Sequence, residues 1–210
     1  MEARWIMLAL IVTAGLGGLL PTRGYGQGLN RGANRGVEVK EDARLLMDFK
    51  GADPLRRWTT VNDNVMGGRS QGGPAVQDGK LIFSGRTNTN GGGFSSIRTR
   101  PEAMGLGEFA GLRIRVRGDG RTYKADVRTS QRIGRMSVAY RSDFETVDGE
   151  WIEVEIPFAS FDPTSFGRNV RSRVASLDVD DIQAIGLMIY DKKDGPFRLE
   201  VDWIKAYRAE

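Results

Sequence analysis

The stretch WTTVNDNVMGGRSQGG, Trp58 to Gly73, places Asn62, Asp63 and Asn64 together and follows them with Gly67, Gly68 and Ser70. Such a run could cradle a phosphate, hold a metal, rim a sugar site or turn a difficult corner. A Walker-type phosphate loop is excluded, because neither a Lys-Ser/Thr pair nor a helical pattern follows the glycines. The chain contains no cysteine and no histidine. That excludes disulfides, thiolate nucleophiles, Ser-His-Asp chemistry and the commonest zinc ligands. Catalysis would have to run on carboxylates, Lys, Tyr or a bound cofactor. Asp63 with Asp143 or Glu145 is the pair to consider for glycoside hydrolysis, which needs two carboxyls about 5–9 Å apart across a cleft. No spacing in the sequence brings them together. The chain therefore reads as a non-enzyme, with no cofactor and no metal site.

Three other motifs carry weaker chemistry. Gly105 to Ala110 matches a G-x-G-x-x-A dinucleotide fingerprint. It precedes the strand pattern from Leu112 instead of following a strand and opening a helix, so it reads as a turn. The acidic run Asp178–Asp181 lacks the glycine and distal Glu of a calcium loop and reads as a solvated turn or helix start. Arg113, Arg115 and Arg117, with Lys124 and Arg128 on the next strand, suggest a basic stripe faced by Glu153 and Glu155. With no aromatics interleaved on that face, nucleic-acid binding is not expected.

The elements that would position these residues are strands. Leu112, Ile114 and Val116 alternate with arginines, and Tyr123, Ala125 and Val127 alternate with Lys124, Asp126 and Arg128. Ile152, Val154 and Ile156 alternate with glutamates, and Phe197, Leu199, Val201 and Trp203 alternate with charges. Each is a period-two surface with one buried face. Further strands are expected over 44–49, 80–85, 94–99, 136–141 and 182–192. Helical signal is thin, confined to 101–107 or 178–183, and Ala159–Leu177 reads as a long loop. The prediction is an all-β antiparallel sandwich of roughly nine or ten short strands.

Hydrophobic residues make up 40% and charged residues 28% of the 210 residues, enough for one domain with a core. Arg4 followed by the apolar run Trp5–Leu20, then Pro21 and the small residues Gly24 and Gly26, reads as an export signal over 1–26. The competing reading is an uncleaved anchor, for which the run is short of the ~20 residues of a bilayer span. Cleavage would remove Arg4, Arg23 and Glu2 and lower the net charge from +4 to +3. The expected layout is a signal peptide at 1–26, a flexible linker at 27–43 and a β-sandwich at 44–210, in a periplasmic or extracellular protein with no membrane span after cleavage.

A second glycine knot, Asn90-Gly91-Gly92-Gly93-Phe94, follows the first. The pair could be structural corners at one end of the sandwich or a binding rim. Together with Phe83-Ser84-Gly85 and the terminal Val201–Tyr207 stretch, these motifs resemble the complex I intermediate-associated protein 30 family over roughly 45–207. The resemblance implies a galactose-binding-domain-like jelly roll. It also implies a non-catalytic, chaperone-like role in assembling NADH:ubiquinone oxidoreductase, with a protein as partner. The family motif falls on Trp58, Asn62, Asp63, Met66, Gly67, Gly68, Ser70, Asn90, Gly91, Gly92, Gly93 and Phe94, taken as binding candidates. The alternative is a carbohydrate-binding module on the same scaffold, using loop aromatics such as Phe161, Phe166 and Trp151.

Overall fold

The computed structural model describes residues 42–209. The expected signal segment and most of the expected linker lie outside the described residues. The described chain forms thirteen strands and two short 3-10 turns, Asp63–Met66 and Phe158–Ser160. Among the described residues there is no α-helix, so 101–107 and 178–183 are extended chain and turn.

Two antiparallel sheets enclose the core. In the six-stranded sheet, β3 (Gln71–Gln77), β4 (Lys80–Thr87), β13 (Gly195–Tyr207), β6 (Gly111–Arg117) and β9 (Trp151–Pro157) lie in that order, and β1 (Ala43–Met47) also pairs with β13. The seven-stranded sheet runs β11 (Arg168–Asn169), β10 (Asp162–Ser165), β8 (Met136–Glu145), β7 (Thr122–Ile133), β12 (Ala184–Ile189), β5 (Ser95–Thr99) and β2 (Trp58–Asn62). Alternation decides which side chains meet between the sheets. Ile114 and Val116 from β6, Leu199 and Val201 from β13, Val127 from β7 and Ile97 from β5 are all buried in one core cluster.

The pattern of β13 departs from strict alternation. Its register against β6 shifts between Val201 and Trp203, a bulge that leaves Asp202 as the extra residue. Beyond the bulge Ile204 and Ala206 are buried, and Trp203 turns outward instead of continuing the Phe197–Leu199–Val201 face. There Lys205 Nζ sits 4.4 Å from the Trp203 ring centroid.

The expected basic stripe is divided. β6 and β7 belong to different sheets, so Arg113, Arg115 and Arg117 lie on one outer face and Lys124 and Arg128 on the opposite one. On the first face the arginines are paired, Arg113 with Glu155 at 2.6 Å, Arg117 with Glu200 at 2.6 Å and Arg115 with Asp202 at 3.4 Å. Aromatics are interleaved after all, for Arg115 and Arg117 both lie over Trp151 and Arg113 over Tyr207. This is a flat face of matched cation–π and ion-pair contacts.

The region expected as a long loop, 159–177, contains a hairpin. Thr164 pairs with Asn169 and Ser165 with Arg168. Between them Phe166 and Gly167 both have positive φ, 49° and 73°. Two left-handed residues form the tight turn whose twist matches a hairpin, and here one of them is a bulky aromatic.

Candidate functional site

The two glycine knots are successive crossings between the sheets. The first leads from β2 to β3 and the second from β4 to β5, and both run side by side at the same end. Such crossings carry backbone N–H groups that no strand ladder satisfies. Asp63, fully buried, supplies the acceptors. Its Oδ1 accepts the Ser70 N–H at 2.8 Å, and its Oδ2 accepts the Ser70 hydroxyl at 2.6 Å and the Gly93 N–H at 2.6 Å. The Phe94 N–H also donates to Oδ2, at 3.3 Å. Burial alone would push this carboxyl up. The donors from Gly93, Ser70 and Phe94 outweigh it and hold the group below its usual value.

The glycines are there because the carboxylate is. A Cβ on Gly68 would stand 2.3 Å from Asp63 Cγ, and one on Gly92 2.3 Å from Asp63 Oδ2. We expect Gly92→Ala to lower stability by about 1–3 kcal/mol through overpacking, read as a drop of about 3–10 °C in Tm. The same change in an Asp63→Ala background should cost far less, because the clash is with the carboxylate itself.

The other motif residues fill in the corner. Asn62 Nδ2 donates to the Gly72 carbonyl at 3.1 Å, and Asn62 Oδ1 accepts the Ser95 hydroxyl at 2.6 Å. The Ser70 Oγ accepts the Asn88 N–H at 2.9 Å, and Asn88 Oδ1 accepts the Asn90 N–H at 3.0 Å. Trp58 is buried against Phe49, their rings 6.1 Å apart. The structure gathers Asn62, Ser70, Gly68, Gly92 and Gly93 around a buried carboxylate, whereas Trp58 anchors the opposite end of β2. The hydrolytic pairing does not form: Asp63 is saturated, and Asp143 is held by Lys124 on an outer face.

The same short 3-10 turn that buries Asp63 displays its other side. Val65 and Met66 are 68% and 52% exposed. They border a cavity of about 410 Å³ on the outer face of the seven-stranded sheet. Phe166, 72% exposed at the tip of the β10–β11 hairpin, and Met136 also line it. Phe94 and Tyr190 stand edge to face there, 6.4 Å between centroids. The charged lining is Arg98, Arg128 and Arg141. Asp126 lies beneath, 4% exposed, accepting Arg128 Nε on Oδ1 at 3.1 Å and Arg141 Nε on Oδ2 at 2.8 Å.

Sequence reasoning places Met66, Gly92 and Phe94 here but misses the arginines and Met136, which come from three strands, β5, β7 and β8, brought together only by the sheet order. Of the loop aromatics, Phe166 is at the cavity, whereas Phe161 is core and Trp151 lies on the other sheet. The acidic run 178–181 is a turn in which Asp181 Oδ2 accepts the Ser130 N–H and hydroxyl at 2.8 and 2.6 Å. Among the described residues no cluster of acidic side chains could hold a metal ion.

The architecture is that of a jelly-roll, galactose-binding-domain-like sandwich. It resembles a family 11 carbohydrate-binding module of a cellulosomal cellulase of Clostridium thermocellum, at TM-score 0.60 and 19% identity, over 80% of this chain and 95% of that one. A crystal structure of an agarase is similar at TM-score 0.54 and 13% identity over 80% of this chain and 25% of that one. At such identities the likeness is one of fold. Residues 47–201 match the family model of complex I intermediate-associated protein 30, and the chain belongs to that family. The mitochondrial complex I intermediate-associated protein 30 of Mus musculus is 31% identical over 80% of this chain. A probable counterpart from Caenorhabditis elegans is 34% identical over 47% of it. The chain spans 57% of the mouse relative's length and 29% of the worm relative's.

These relatives correct one expectation. A periplasmic or extracellular location is overturned, because the named relatives are mitochondrial proteins. That reading rested on Arg4 and the apolar run after it. Beyond that run, the sequence as far as Val37 adds Arg23, Arg31 and Arg35 and no further acid. Among the described residues no helix is long and apolar enough to cross a membrane.

Proposed function

We propose that this chain is a non-catalytic docking module of the assembly-factor type, which holds a partner protein on the outer face of its seven-stranded sheet. One observation carries the reading. Of the six large hydrophobic side chains exposed among the described residues, four surround a single cavity: Val65, Met66, Met136 and Phe166. Scattered apolar side chains are ordinary on a surface, but a cluster around a cavity marks a contact site. Phe166 is held in the left-handed region, an uncommon conformation for a bulky residue, at the position where its ring stays exposed. The corner around Asp63 fixes the opposite rim. The motif is thus structural on its inner side and part of a contact surface on its outer side.

The ionisable groups that line the cavity are Arg98, Arg128, Arg141 and Tyr190, with no carboxylate or lysine among them. The name of the mouse relative states an association with a complex I intermediate. We extend that role to this chain as the binding of an assembly intermediate of a larger protein complex. A carbohydrate is the second reading, favoured by the exposed Phe166 ring beside Thr164 and Ser96 on a scaffold shared with sugar-binding modules.

A photo-crosslinking amino acid introduced at position 66, 136 or 166 tests the reading in cells that make the protein. The expected result is one specific protein adduct from all three positions and none from position 151 on the other sheet. Equal labelling from both faces would sink it. Titration of the purified protein with β-glucan tetrasaccharides addresses the second reading, which requires saturable binding that is lost in Phe166→Ala.

A further inference from the structure

The cavity's charge is unbalanced, and the sheet register shows why. Across the outer face, Thr59, Arg98, Gly186, Asp126 and Arg141 stand in one row on β2, β5, β12, β7 and β8. Gly186 contributes no side chain, and a Cβ there would come within 2.8 Å of Arg98 Cβ. The row therefore has a notch at its centre, with Arg98 on one side and the Asp126 cluster on the other. Asp126 is one carboxylate under three guanidinium groups. It uses both oxygens on the Nε atoms of Arg128 and Arg141, which leaves their terminal nitrogens without a recorded acceptor among the described residues. Arg98 has neither a hydrogen bond nor an ion pair from its guanidinium within the described domain. Burial, then the like charge of Arg128, depresses its pKa, with Asp126 opposing. The neighbouring acids are already engaged, Asp143 by Lys124 and Asp162 by Arg171.

A second cavity of about 420 Å³ shares Arg98, Arg128 and Ser137 with the first and adds Arg100 and Arg132. The two form a continuous run across the sheet. The Val65–Met66 end is apolar, Phe166 stands on the opposite rim, and the arginines are spread between them and onward among Thr59, Thr129, Ser130 and Gln183. A run of this length and polarity suits an extended chain better than a single ion. Its apolar end is aliphatic in Val65 and Met66, which suits aliphatic side chains more than stacked bases. Guanidinium forks recognise carboxylates by paired hydrogen bonds.

We propose that this groove takes an extended acidic segment of the partner protein, with an apolar side chain seated at the Val65–Met66 end and a carboxylate received by Arg98. The inference rests on the docking reading above and adds the chemistry of what docks.

The test is fluorescence anisotropy of the whole protein with a labelled octapeptide of alternating Leu and Glu, and with the same peptide carrying Gln for Glu. The Glu peptide should bind about tenfold or more tightly than the Gln peptide, with affinity falling as salt rises. Arg98→Gln should remove about tenfold from Glu-peptide binding and leave Gln-peptide binding unchanged. Arg98→Lys, which keeps the charge and loses the fork, should fall between. An unchanged melting temperature in both variants confirms that binding alone has altered.

Equal affinity for the two peptides would overturn the proposal, as would indifference to Arg98. So would equal binding of an oligothymidine of the same charge, or displacement of the peptide by a neutral tetrasaccharide. The two levels separate cleanly. If cross-linking captures a partner at position 66 while the peptides bind alike, docking stands and the acidic preference falls. If the Arg98-dependent difference appears without a cross-link, the groove's chemistry stands and its use in docking that partner falls.

Discussion

Asp63→Ala should lower the stability of the domain by about 4 kcal/mol, because it leaves the Ser70 N–H, the Ser70 hydroxyl and the Gly93 N–H buried without an acceptor. For a domain of this size that is a fall of about 8–16 °C in melting temperature. Asp63→Asn should recover little, since its amide would present donors to donors. The pH dependence follows from linkage. The folded carboxyl is held below its ordinary value of 3.8, so its stabilisation is fully present above that value and is lost as pH falls through the folded pKa. The gap in melting temperature between wild type and Asp63→Ala should therefore be constant at neutral pH and narrow from about pH 4 downward. A variant whose melting temperature matched wild type at pH 7 would show that the corner does not depend on this carboxylate.

Asp191→Ala should be of similar size, about 3–5 kcal/mol, because it strands a buried guanidinium. Arg121 binds Asp191 with two donors, Nε to Oδ2 at 2.9 Å and Nη2 to Oδ1 at 2.6 Å. Its remaining donors reach the Thr87 hydroxyl at 3.0 Å and the Lys193 and Pro196 carbonyls at 2.8 and 2.9 Å. The pair ties the start of β7 to the β12–β13 connection and the end of β4. The same connection receives the second glycine knot, where the Thr89 N–H donates to Asp194 Oδ1 at 2.6 Å. Burial pushes the Asp191 carboxyl up, but Arg121 outweighs it and the net shift is downward, so this contribution too disappears on acidification. Denaturant melts of Asp191→Ala, Arg121→Met and the double variant would measure it. The double variant should lose less than the sum of the singles, since neither charge is then left alone.

The fold was legible where alternation was clean. The faces expected for β6, β7 and β9 are those observed, because each strand buries one side and wets the other. Two kinds of feature were hidden. The outward turn of Trp203 depends on one bulged residue, Asp202, which no periodicity announces. The hairpin at 162–169 has strands of four and two residues, too short to establish a period. The site was legible in part. Glycines beside an Asn-Asp-Asn run signalled a tight corner, but the reason for them, a carboxylate within reach of two missing Cβ atoms, joins Asp63 to Gly92, which is 29 positions away. Arg128 read as part of a basic stripe with the arginines of β6, and nothing marked Arg98 or Arg141 as its neighbours, because their convergence depends on β12 inserting between β5 and β7.

The position of β13 bears on how the domain comes to exist during synthesis. This strand lies at the centre of the six-stranded sheet and pairs with β1, β4 and β6, yet it is the last of the strands among the described residues. Until it emerges, the β3–β4 hairpin and the β6–β9 pair are two separate ribbons with open edges, and residues such as Leu81, Phe83 and Ile114 have no completed layer to pack in. Pairings as distant as Ala43 with Tyr207 make the closing step slow, and unpaired edges are where nascent chains associate wrongly. A ribosome stalled before Gly195 would therefore hold two half-sheets and an open core. Closure of this sandwich therefore waits on the docking of β13 between β4 and β6.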